Sequence, residues 1–93
     1  MDTVHVEVDG IPVDVRAESL GDFEMLEWMA DITDGNILSL PKFARRFFGE
    51  EQFTNVKESL RNEEGVCDVA DMTKFVLDCM QAAAEAKKAE LKN

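Results

Sequence analysis

An α+β fold, a β-hairpin at the N-terminus followed by a small bundle of about four α-helices, is the architecture this sequence predicts. Three observations predict it. Apolar residues alternate strictly on both sides of Asp9-Gly10, they recur at three- and four-residue spacing from about residue 20 onwards, and Gly or Pro separates these stretches. The 93 residues form one domain, with the hairpin in 1–17, the helical portion in 19–84 and a polar helix end or connector in 85–93.

In "TVHVEVDGIPVDVRA" an Asp-Gly pair between alternating segments predicts a two-residue turn. Val8 then faces Ile11, Val6 faces Val13 and Val4 faces Val15, so all six apolar side chains share one face. Val8 and Ile11 close the turn as a hydrogen-bonded pair. Glu7 and Pro12 are therefore a non-bonded pair, and the missing N–H of Pro12 costs no bond within the hairpin. A lone hairpin is marginal in water, so helices must cover its apolar face.

Ser19, with Asp22 three residues on, predicts an N-cap and a first helix over about Leu20 to Ile32. Phe23, Leu26, Ala30 and Thr33 form one row, widened by Met25, Trp28, Met29 and Ile32. That stripe exceeds what one small core needs. "TDGN" breaks the chain. Ser39 and Pro41 then start a helix carrying Phe43, Ala44, Phe47 and Phe48 to a stop at Gly49. Phe47 and Phe48 lie about 100° apart on a helix, which sends one into the core and leaves the other near its edge. Glu50 and Glu51 suit the positive end of a third helix with Phe53, Val56 and Leu60 inward. Asp68 and Asp71 mark the start of the last, with Val69, Met72, Phe75, Val76, Cys79, Met80 and Ala83 in one stripe. Beyond Ala84 that stripe ends, and "EAKKAELKN" is expected to project or fray.

The net charge of −10 is unevenly placed: residues 1–40 hold ten acids and one base, and residues 41–93 hold ten acids and nine bases. An acidic front end repels nucleic acid and anionic lipid, and it favours solubility or a basic partner. No apolar run reaches the roughly 18 residues a membrane span needs, and the first residues are no signal peptide. The expected location is cytoplasmic. Cys67 and Cys79 are twelve apart with no CxxC, so neither metal nor disulfide is expected; Cys79 reads as a buried hydrophobe in a reducing compartment.

No catalytic constellation is recognisable, and the chain is expected not to be an enzyme and to need no cofactor. His5 is the single histidine, on the polar face of the hairpin. Ser19, Ser39 and Ser59 are accounted for by capping or solvent, and "DITDGN" has the wrong register for a calcium loop. Two short helices meeting at Gly49 invite a helix-turn-helix reading of 41–61. The would-be recognition helix, "EEQFTNVKESLR", carries three acids against two bases and would meet phosphates with net repulsion. Arg45 and Arg46 are expected instead to cover apolar neighbours and pair with the acidic front end.

Protein binding is the remaining class. Met25, Trp28, Met29, Phe48, Met72 and Met80 are the candidate partner-binding residues, the four methionines rimming a groove between the first and last helices. Methionine repacks easily around varied apolar helices, although core filling accounts for the same residues.

The order of a "VDG" hairpin, a "DFEMLEWMADI" helix, "FFGEEQF", "LRNEEGVCDVADM" and an Ala/Lys-rich end resembles the small tail assembly chaperones of long-tailed phages and prophages of Gram-positive bacteria. The resemblance covers nearly the whole chain. It implies a non-enzymatic protein that binds the tape-measure protein, keeps its apolar helices soluble and helps recruit tail-tube subunits in the host cytoplasm. It also implies a longer frameshifted product, for which Lys87-Lys88 suits the slippage site. An acidic DNA mimic, a structural tail-completion or connector protein, and self-association remain as alternatives.

Overall fold

The computed structural model describes residues 3–91 and shows a two-stranded antiparallel hairpin followed by four α-helices. The strands are β1 (Thr3–Val8) and β2 (Ile11–Arg16), and their register is the one the alternation predicts, from Val8↔Ile11 through Glu7↔Pro12 to Val4↔Val15. Asp9 and Gly10 both have positive φ, 53° and 79°, as the tight two-residue turn requires. Residues 1–2 of the hairpin segment and 92–93 of the connector lie outside the described residues.

The helices are α1 (Phe23–Thr33), α2 (Leu40–Phe48), α3 (Glu50–Leu60) and α4 (Val69–Leu91). The start of α1 differs from expectation. Ala17–Gly21 forms a 3-10 turn, and Asp22 is the cap, its carboxylate accepting from the Glu24 N–H at 2.9 Å. Ser19 is buried in that turn instead. An aspartate directly before the first apolar residue outcompetes a serine three residues earlier, because its oxygen reaches the exposed N–H groups at no cost in helix length.

Ser39 precedes α2 but does not cap it; its hydroxyl donates to Asp31 Oδ2 at 3.0 Å and ties the α1–α2 connection together. Gly49 ends α2 and begins α3: its N–H donates to the Arg45 carbonyl, and its own carbonyl accepts from Phe53 N–H. The loop before α4 closes on itself through an Arg61↔Cys67 bridge, with Asn62 Oδ1 accepting from the Glu64 and Val66 N–H groups. Asp68 then caps α4 through the N–H groups of Ala70 and Asp71.

The core sits between the apolar face of the hairpin and the inner faces of the helices, α4 lying along β1 and α2 and α3 along β2. An aromatic chain runs through it: Phe43–Phe47 at 5.6 Å between ring centroids, Phe47–Phe48 at 5.1 Å and Phe48–Phe75 at 6.1 Å. Both Phe47 and Phe48 are buried, contrary to the expectation that one would lie at the edge. The aromatic chain joins α2 to α4, and Phe48 makes the contact with Phe75 of α4. At the far end, α4 remains helical beyond Ala84, and Ala86 still packs on the core.

Candidate protein-docking surface

α1 is apolar around most of its circumference, and the face it turns inward is the second of its two rows. Met25 is buried, and Trp28, Met29 and Ile32 pack half-buried against the core. The row Phe23, Leu26, Ala30, Thr33 faces outward instead, Phe23 at 71% and Leu26 at 57% exposure. α2 brings Arg46 to Trp28 on the inner side. Its guanidinium lies 5.8 Å from the Trp28 ring and bonds Asp22 at 2.9 Å and Glu24 at 3.0 Å. Arg46 thus pairs with the acidic front end, as its position predicts. Arg45 pairs with Glu50 and lies over Phe53, within its own α2–α3 unit.

A second apolar surface centres on Val69, 56% exposed at the start of α4. On one side of it lies a depression of about 180 Å³ lined by Leu40, Pro41, Ala44, Phe53, Cys67 and Met72, with Lys57 the only charged group in its wall. On the other side Ile37, Ala70 and Leu77 line a wider, shallower depression, with Asp68, Lys74 and Asp78 around it. Lys74 and Asp78 are held by their own ion pair at 2.6 Å. Two apolar sockets separated by one ridge suit a partner that presents apolar side chains at helical spacing.

The six residues expected to bind a partner divide by burial. Met25, Phe48 and Met72 are core residues, and Trp28, Met29 and Met80 are half-buried against the same core. Among the described residues, none of the apolar depressions is a groove rimmed by Met25, Met29, Met72 and Met80; Met25 and Met72 are core residues, and Met29 and Met80 pack half-buried against that core. A partner reaches Met25 only when the core opens. Of the six, Met72 lines the smaller apolar socket, and Phe48 reaches the wall of a separate, more polar depression between the hairpin and the start of α3, beside Asp14, Gly49 and Gln52. Phe23, Leu26, Val69 and Leu77 are exposed residues outside that expected set, and Val69, expected in the apolar stripe of the last helix, stands outside the core at its first turn. Their signal was present in the width of the α1 stripe and in Val69 and Leu77 standing eight apart on α4, but period alone does not say which face turns outward.

Burial raises the Cys67 thiol above its ordinary range, and it pushes the Cys79 thiol up to about 12. Neither is poised as a nucleophile. Among the described residues no cluster of His, Cys, Asp and Glu has the arrangement of a metal site, and no helix is long and apolar enough to cross a membrane. Comparison of the chain with family models, curated proteins and solved structures returned no match.

Proposed function

We propose that this protein is a non-enzymatic tail assembly chaperone of a long-tailed phage or prophage. On this reading it holds apolar helical segments of the tape-measure protein until tail-tube subunits are recruited in the host cytoplasm. The observation that carries the reading is the pair of apolar sockets flanking Val69 on a chain of net charge −10. A holdase needs accessible apolar surface for its client and like-charge repulsion to keep its own copies apart, and this molecule combines them. The resemblance of "FFGEEQF" and "LRNEEGVCDVADM" to such chaperones supplies the identity of the client.

The test is affinity capture of the tagged protein from its own induced host, with mass spectrometry of what accompanies it, for the parent chain and for Val69→Asp. Recovery of a very long tape-measure chain by the parent and its loss with Val69→Asp is the expected result. Recovery of a DNA-acting enzyme without tail protein would overturn the reading and favour an acidic mimic. Incorporation of the protein into purified particles would favour a structural connector.

A further inference from the structure

The two edges of the hairpin are not equivalent. Within the hairpin, Val4, Val6 and Val8 bond to Val15, Val13 and Ile11, so the outward-pointing backbone groups of β2 belong to Pro12, Asp14 and Arg16. Pro12 has no N–H to offer. The Asp14 N–H donates to Gln52 Oε1 at 2.8 Å and its carbonyl accepts from Gln52 Nε2 at 2.7 Å, the pair of bonds a neighbouring strand would make. Arg16 leads directly into the 3-10 turn. The β2 edge is closed.

On β1 the corresponding groups belong to Thr3, His5 and Glu7, opposite Arg16, Asp14 and Pro12. Among the described residues, no backbone bond from outside the hairpin reaches the N–H or carbonyl of His5 or Glu7. The apolar layer beneath this edge is also incomplete. Val6 is only half-buried where its partner Val13 is 2% exposed; Val8 and Ile11 beside the turn are both half-buried, and Val4 at the other end is buried. A strand laid beside β1 would supply both the missing bonds and the missing cover.

A second copy does not fit this place. Adjacent strands lie about 4.8 Å apart and packed helices 8–10 Å apart. α4 lies along β1 and α2 and α3 along β2, so α4 occupies the β1 side of the hairpin's covered face. Pairing two β1 edges about a two-fold axis would drive the two α4 helices into one another. A single extended segment meets no such obstacle. Its outward side chains would stand beside Glu7 near the Asp9 turn, on a chain of net charge −10, which selects basic residues.

We propose that the free edge of β1 binds an extended peptide segment, apolar at alternate positions and basic between them, as the third strand of the sheet. This does not depend on the tail-chaperone reading. The test uses the full chain, isotopically labelled for NMR and titrated with a short blocked peptide of alternating valine and lysine. The controls are a valine–glutamate peptide and a valine–lysine peptide interrupted by proline. Expected are peptide-to-β1 cross-strand contacts and roughly tenfold slower exchange of the His5 and Glu7 amides with the first peptide only. Glu7→Pro should abolish the response while the contacts between β1 and β2 persist, since that N–H makes no bond to Pro12. Glu7→Lys, which leaves the backbone unaltered, should shift preference towards the valine–glutamate peptide. Four results would overturn the proposal: equal response to both charge types, amide changes confined to α1 or the Val69 sockets, protection of His5 and Glu7 in the isolated chain, or concentration-dependent pairing of two copies through β1.

Discussion

Replacing Gln52 by alanine tests how the helical layer is fastened to the hairpin. The carboxamide makes three bonds, two to the Asp14 peptide and one from Nε2 to the Phe48 carbonyl at 3.1 Å. Each typical bond contributes about 0.5–1.5 kcal/mol net, and the Asp14 groups are exposed enough for water to replace part of the loss, so a cost of about 1–2 kcal/mol follows. In a domain of this size that corresponds to a melting temperature lower by roughly 5–10 °C. Gln52→Glu should cost as much or more, because a carboxylate keeps the bond from the Asp14 N–H but meets the Asp14 and Phe48 carbonyls without a donor. Urea denaturation followed by circular dichroism gives the value, the midpoint falling at constant slope. Exchange at the Asp14 amide should quicken in Gln52→Ala, which removes its acceptor. A change below about 0.3 kcal/mol in both, with Asp14 exchange unaltered, would refute the idea that this side chain acts as a surrogate strand.

Gly49→Ala should cost about 1–3 kcal/mol although a Cβ there meets nothing within 4 Å, because φ 83° and ψ 156° form a region that only glycine occupies readily. Gly10→Asn, in the hairpin turn at φ 79°, should cost less than Gly49→Ala in the same denaturation experiment. Phe75→Ala, in the middle of the core, should lose about 3–5 kcal/mol, whereas Leu26→Ser on the outer face of α1 should stay within about 0.5 kcal/mol. Cys79 should resist thiol reagents at pH 8 until the chain unfolds, as a disulfide-exchange colour assay would record. Its folded-state pKa of about 12 lies above the ordinary value of 9.0, so the unfolded chain releases this proton first, and this thiol's contribution to stability falls as pH climbs from about 9 towards 12.

The hairpin was legible down to individual pairs, since a period of two and an Asp-Gly turn leave one register that puts six apolar residues on one face. The helix order was legible too, and Gly49 and Asp68 stand where their chemistry predicts. The orientation of α1 was not. Both of its rows are apolar, and the inward one is marked only by contacts distant in sequence, among them Arg46, twenty-two residues beyond Glu24, reaching Trp28, Asp22 and Glu24 together. The same limit affects the candidate site: Met25 and Phe48 have the composition of a docking surface, but contacts distant in sequence place them inside. Gln52 stood in the stretch that carries the family resemblance, yet its bond to Asp14 spans thirty-eight residues and leaves no trace in local pattern.

α1 has one fully buried side chain, Met25, and packs chiefly on α2 and on the 3-10 turns at its two ends. Trp28, Met29 and Ile32 pack only half-buried beside it, and the ion pairs of Arg46 with Asp22 and Glu24 weaken as salt rises. In a molecule whose other helices are pinned by Phe43, Phe47, Phe53 and Phe75, the first cooperative unit to detach is therefore α1. Its detachment leaves the hairpin and the α2–α4 aromatic chain standing, and it bares Met25, Trp28 and Met29 together. The inner face of α1 is thus a further apolar surface that local opening would expose, and salt, by weakening the Arg46 pairs, favours that opening modestly.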